Sequence, residues 1–151
     1  MRHLLLGLLL LLGSGLAFGQ RKFSSMTPMI TLLDTKTKAL EKKDRYVVKS
    51  LLDILQRDMS DARNSTTHFF SKSELSNIIV LGDPEKISAL QLRLYQLKND
   101  TWSFVRTYSG NSEINTAFSA PESAFYKLEA MATFRAGQSY THFGLLIDQE
   151  Q

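Results

Sequence analysis

Beyond His3, the chain of 151 residues has two imidazoles, His68 and His142, and nothing local completes a metal site around either: no H-x-x-x-H or H-x-x-E-H spacing occurs. Each sits beside phenylalanine, His68 before Phe69-Phe70 and His142 before Phe143, which reads as packing rather than ligation. A composite centre made from both histidines and a carboxylate would have to be assembled by the fold. Serine is abundant, but there is no G-x-S-x-G elbow to raise one of them as a nucleophile. Neither G-x-G-x-x-G nor G-x-x-x-x-G-K-[ST] occurs, so no phosphate cradle is written into the chain. The absence of cysteine excludes thiol catalysis, thiolate metal sites and a disulfide framework. The expectation is a non-enzymatic protein with no cofactor, no catalytic residue and no metal.

Aromatic side chains offer a different chemistry, because rings make apolar ligand pockets and protein-binding hot spots. From Tyr95 to Phe143 the chain is much richer in rings than before it. Most of these suit a core. Tyr95 and Trp102 fall away from the main apolar stripe of their segment, and they are the candidate ligand- or partner-binding residues, for an apolar or sugar ligand or for a protein surface.

That segment, Asp83 to Tyr108, is the one the other elements are organised around. Asp83-Pro84 reads as a helix start, with a capping carboxylate followed by a residue that has no amide hydrogen to leave unpaired. On a 3.6-residue period Ile87, Leu90, Leu94, Leu97, Phe104, Val105 and Tyr108 share a stripe, with Leu92, Tyr95 and Trp102 roughly opposite. The competing reading is extended: Leu90, Leu92 and Leu94 alternate with Gln91 and Arg93, Trp102, Phe104 and Tyr108 share one parity, and Asn99-Asp100 has turn chemistry.

The neighbouring elements read the same way. Thr27-Pro28 starts a helix whose phase, through Met29, Leu33, Leu40, Val47, Leu51, Ile54 and Leu55, extends to about Met59; alternatively Lys42 to Asp44 turn the chain into a helical hairpin. Residues 62–67 read as a loop. Ser71 and Glu74 have capping-box spacing ahead of a short helix closed by Gly82, with the cluster Asn77 to Leu81 alternatively a buried strand. Ser109 to Ala120 reads as a loop. Ser119 and Glu122 box a further helix through Ala124, Phe125, Leu128, Met131 and Ala132 that stops at Gly137, and the apolar tail docks as a short helix or strand. The predicted fold is all-α, a small bundle of about four helices, with an α+β arrangement carrying a short sheet from the C-terminal half as the alternative.

Targeting and charge set the compartment. Arg2 and His3 precede the apolar run Leu4 to Leu12, and small residues Ala17 and Gly19 follow, the order of a cleaved secretory signal over residues 1–19. Residues 20–151 are then a single helical domain with no further stretch apolar enough to span a bilayer, hence no stable membrane insertion after cleavage. An exported chain without cysteine fits a periplasmic or secreted protein of a bacterial envelope. Net charge is +3, and the basic residues between Gln20 and Arg63 are interspersed with acidic ones, a solvated face rather than a nucleic-acid footprint. The functional expectation is an interaction or structural module presenting a helix face to another envelope protein or to its own copy; the alternative is a binder of a small apolar ligand within the bundle.

Overall fold

The computed structural model describes residues 25–57 and 63–150. The expected signal segment 1–19 and its cleavage site lie outside the described residues. One helix, α1 (Thr27–Glu41), is followed by eight strands: β1 (Arg45–Gln56), β2 (Arg63–Phe70), β3 (Leu75–Gly82), β4 (Ile87–Lys98), β5 (Thr101–Gly110), β6 (Glu113–Ser119), β7 (Ala124–Phe134) and β8 (Tyr140–Glu150). The expected helical bundle is therefore wrong. So is the α+β alternative, because strands begin at Arg45 and fill both halves of the chain.

The strands form two antiparallel sheets, one in the order β1-β8-β3-β6 and the other β2-β7-β4-β5. Consecutive strands alternate between the sheets except at β4–β5, which is the strand order of a jelly-roll sandwich. Between the sheets lies a continuous core, with Ile78, Val80, Phe143 and Leu145 from one and Leu90, Leu92, Leu94, Tyr126 and Leu128 from the other. A second, smaller core lies on the opposite face of the first sheet, where Met29, Leu33 and Leu40 of α1 pack on Ile79, Leu81 and Leu146. β8 is buried on both faces, from Thr141 to Gln149. Gly144 lets the helix come that close: a Cβ there would lie 2.6 Å from Leu33 Cδ2.

The central segment is two strands, not a helix. Leu90, Leu92 and Leu94 point inward while Gln91, Arg93 and Tyr95 point outward, the period of two that had competed with the helical one. Asn99 and Asp100 both have positive φ, 49° and 57°, between paired Lys98 and Thr101: a two-residue hairpin turn whose twist matches that of the strands. The helix-start chemistry at Asp83 exists but lasts one turn, with Asp83 Oδ1 accepting the Glu85 N–H at 2.9 Å and Asp83 O the Ile87 N–H at 3.1 Å before β4 begins.

Other local signals likewise turned the chain without propagating a helix. Ser71 to Glu74 is the β2–β3 turn, closed by the Glu74 N–H on Ser71 O, and Gly137 (φ 77°) lies in the β7–β8 connection. The helix boxed by Ser119 and Glu122 is β7, and the loops at 62–67 and 109–120 contain most of β2 and β6. α1 does start at Thr27-Pro28, with Ser25 Oγ accepting the Thr27 N–H at 3.1 Å, but it ends at the Lys42–Asp44 turn. Val47, Leu51, Ile54 and Leu55, in phase with it in sequence, are on β1.

Candidate binding surface

The solvent side of the β2-β7-β4-β5 sheet brings the sequence-chosen residues together. Tyr95 on β4 is opposite Phe104 on β5 and Lys127 on β7, and Lys127 is opposite Thr67 on β2. In the adjacent row Leu97 is opposite Trp102, and Phe69 is opposite Phe125. Phe69, Phe125 and Phe104 are 48%, 53% and 61% exposed and Trp102 36%, so two neighbouring rows of the sheet present rings to solvent across all four strands.

The rings are in contact with one another. Tyr95 and Phe104 meet edge to face at 5.9 Å, as do Phe69 and Phe125 at 5.4 Å. Lys127 Nζ stands 4.4 Å from the Tyr95 ring centre and 5.7 Å from that of Trp102, placing a cation inside an aromatic patch. The next two rows along the same face are polar apart from Met131, which lies between Arg63 and Gln91. They contain Arg93 opposite Glu129, and Arg63, whose Nη1 is 3.8 Å from Glu129 Oε1. With Lys127, Arg93 and Arg63 against Glu129, the face is basic.

Trp102 and Phe104 point outward and Tyr108, of the same sequence parity, does not. Between Leu94/Arg106 and Tyr95/Phe104 the pairing shifts, leaving Val105 as an extra residue on β5. Beyond that bulge the strand's parity is reversed, so Tyr108, opposite Leu92, packs against the core. Sequence reasoning chose Tyr95 and Trp102 and missed Phe69, Phe104, Phe125 and Lys127. The shared parity of Trp102 and Phe104 was the available signal; the contribution of β2 and β7 depends on pairing across the sheet.

The histidines do not meet. His68 is on β2, its ring 4.7 Å edge to face with Phe70, whereas His142 is on β8 of the other sheet. Burial lowers the pKa of each below 6.5, with Lys49 adding to the effect at His68 and Lys86 at His142, against partial opposition from Glu74 and Asp83 respectively. Among the described residues no group of three or more His, Asp or Glu is placed to hold a metal ion, and no helix is long and apolar enough to cross a membrane.

No family model matches the chain, and no curated protein matches it in sequence. Solved structures resemble it in shape. CorA, a surface-associated copper-binding protein important in copper acquisition in Methylomicrobium album BG8, aligns with a TM-score of 0.51 at 6% identity over 65% of this chain and 91% of its own. The pre-peptidase C-terminal domain of a Bacillus anthracis collagenase aligns with a TM-score of 0.48 at 15% identity, covering 66% of this chain and 87% of that one. At these identities the likeness concerns the fold alone.

Proposed function

We propose that the protein is an exported, non-enzymatic recognition module of the bacterial envelope that docks on another protein through the solvent face of the β2-β7-β4-β5 sheet. The observation that carries this reading is the pair of cross-strand rows containing Phe69, Phe125, Trp102, Tyr95 and Phe104, with Lys127 among them. Contiguous exposed aromatic surface is unusual on a soluble protein and marks interaction sites; Trp and Tyr packed beside a basic residue are typical of interface hot spots. The presenting element is a sheet and not the helix face first expected, because α1 uses Met29, Leu33 and Leu40 to cover the other sheet. Export is supported by the leader-like pattern of residues 1–19, and for an exported chain the cysteine-free composition favours a bacterial envelope.

The charge around the rings favours a different protein over a second copy. Two such faces brought together would oppose Lys127, Arg93 and Arg63 with the same residues, whereas an acidic partner surface would complement them. A photo-crosslinking residue placed at position 104 in the exporting host identifies the partner, which is then purified and its affinity measured directly. Trp102→Ala is expected to weaken that affinity at least about tenfold, as hot-spot truncations do, with the circular-dichroism spectrum unchanged. Equal affinity for the variant, or crosslinks formed only to the chain itself, would refute the reading.

A further inference from the structure

One end of the α1-bearing sheet holds a cleft of ≈ 490 Å³ between the start of the helix and the β3–β4 turn. Pro28, Met29 and Leu32 of α1 form one wall, Asp83 to Lys86 form the other, and Gly82 and His142 line it from the sheet. Its volume lies within the roughly 300–1,000 Å³ of small-molecule sites.

His142 makes this more than an apolar notch. The residue is 5% exposed and lines the cleft, and its ring meets that of Tyr140 edge to face at 5.9 Å. The ring nitrogens are not sealed off from the cleft, so a ligand group entering it can hydrogen-bond them. The surrounding charges are mixed. Lys86 Nζ lies 3.9 Å from the Tyr140 ring centre, and Asp83 and Glu85 stand on the same turn, so neither an anion nor a cation meets a field of one sign. Burial, with Lys86 adding to it, lowers the His142 pKa and so favours the neutral ring, which donates from one nitrogen and accepts at the other.

We propose that this cleft binds a small uncharged apolar molecule bearing a single hydroxyl or carbonyl group, the apolar body against Pro28, Met29 and Leu32 and the polar group on the His142 ring. The site is separate from the aromatic sheet face and does not rest on the docking function assigned to it.

Nile red, an uncharged apolar dye with one carbonyl, serves as the probe, titrated by fluorescence into the purified full exported chain. Saturable binding at one site per chain is expected, with Trp102→Ala leaving it unchanged. His142→Phe should weaken it about tenfold, the worth of one good hydrogen bond. Leu32→Glu, at a position 37% exposed, should weaken it further, keeping the test open if the His142 variant folds poorly. Among competitors of equal chain length, 1-decanol should displace the dye more effectively than decanoate or decylammonium. Absence of saturable binding, wild-type affinity in both cleft variants, or stronger competition from either charged chain would overturn the proposal.

Discussion

The ammonium of Lys127 stands 4.4 Å from the centre of the Tyr95 ring, in the same cross-strand row and one strand away. The contact holds a charge within the ring patch, 5.7 Å from the ring centre of Trp102, the chain's sole tryptophan. An exposed cation–π pair contributes only about 0.5–1 kcal/mol, so Lys127→Met should change unfolding free energy by no more than that. The variant should nevertheless shift the Trp102 emission maximum, and it should reduce the salt dependence of partner binding. Urea titration and steady-state fluorescence check both; unchanged emission would mean that the ammonium does not sit by the indole in solution.

Gly144 is required by α1. A Cβ at this position would approach Leu33 Cδ2 to 2.6 Å and its Cγ to 2.9 Å, inside the second core. Gly144→Ala is expected to destabilise by about 1–3 kcal/mol, the usual cost of overpacking. Leu33→Ala alone also destabilises, by loss of buried surface, but the double variant should be more stable than the two losses added together, because the added methyl enters the space that Leu33 vacates. Strict additivity in a double-mutant cycle would rule out this contact as the reason for glycine.

Asp148 is fully buried on β8, where Arg45 Nε pairs with Oδ1 and Asn77 Nδ2 donates to Oδ2 at 3.2 Å. Arg45 also reaches Glu150 through Nη1 at 2.9 Å. Removing the guanidinium leaves a buried carboxylate with one amide donor, and such changes typically cost about 3–5 kcal/mol. Arg45→Met should therefore destabilise strongly, while Glu150→Gln, at an exposed partner, should cost less than about 1 kcal/mol. Comparable urea midpoints for the two variants would contradict this ranking.

Acid should weaken the fold through its histidines. Burial holds the pKa of His68 and His142 below the ordinary 6.5, so below 6.5 the unfolded chain binds more protons than the folded one. The stability they contribute is fully present above 6.5 and is lost as pH falls from there toward the folded-state values. Unfolding free energy measured at a series of pH values across that range should fall with acid, and His142→Phe should flatten part of the slope. An identical slope in the variant would show that His142 is not a group whose protonation opposes folding.

Why the helical reading failed is visible at Leu90, Leu92, Leu94 and Leu97. Leu90, Leu94 and Leu97 satisfy a helical stripe, Leu90, Leu92 and Leu94 satisfy a strand face, and both periods are present in the same residues. The strand won because pairing with β5 and β7 buries the inward leucines and satisfies the backbone on both sides, whereas a helix apolar on two sides would have needed neighbours the chain lacks. β8 was ambiguous for another reason: buried against both cores, it has no polar alternation to read. In β2 the inward side includes Asn64, Thr66 and His68 before Phe70, so its polarity resembled a loop.

The sequence by itself determined the start of α1 at Thr27-Pro28 and its core stripe of Met29, Leu33 and Leu40; it held Lys42–Asp44 and Asn99–Asp100 as turns only in its alternative readings, and the breaks it marked at Ser71–Glu74 and Asp83–Lys86 as helix starts are turns before strands. Those features arise from capping groups, proline and residues that tolerate positive φ, which act over a few residues. It also singled out Tyr95 and Trp102. Tertiary structure alone decided the strand order and the assembly of Phe69, Phe104, Phe125 and Lys127 around them. Backbone hydrogen bonds pair His68 with Tyr126 and Tyr46 with Gln149 across long stretches of chain, and they carry no side-chain code from which the partner could be read.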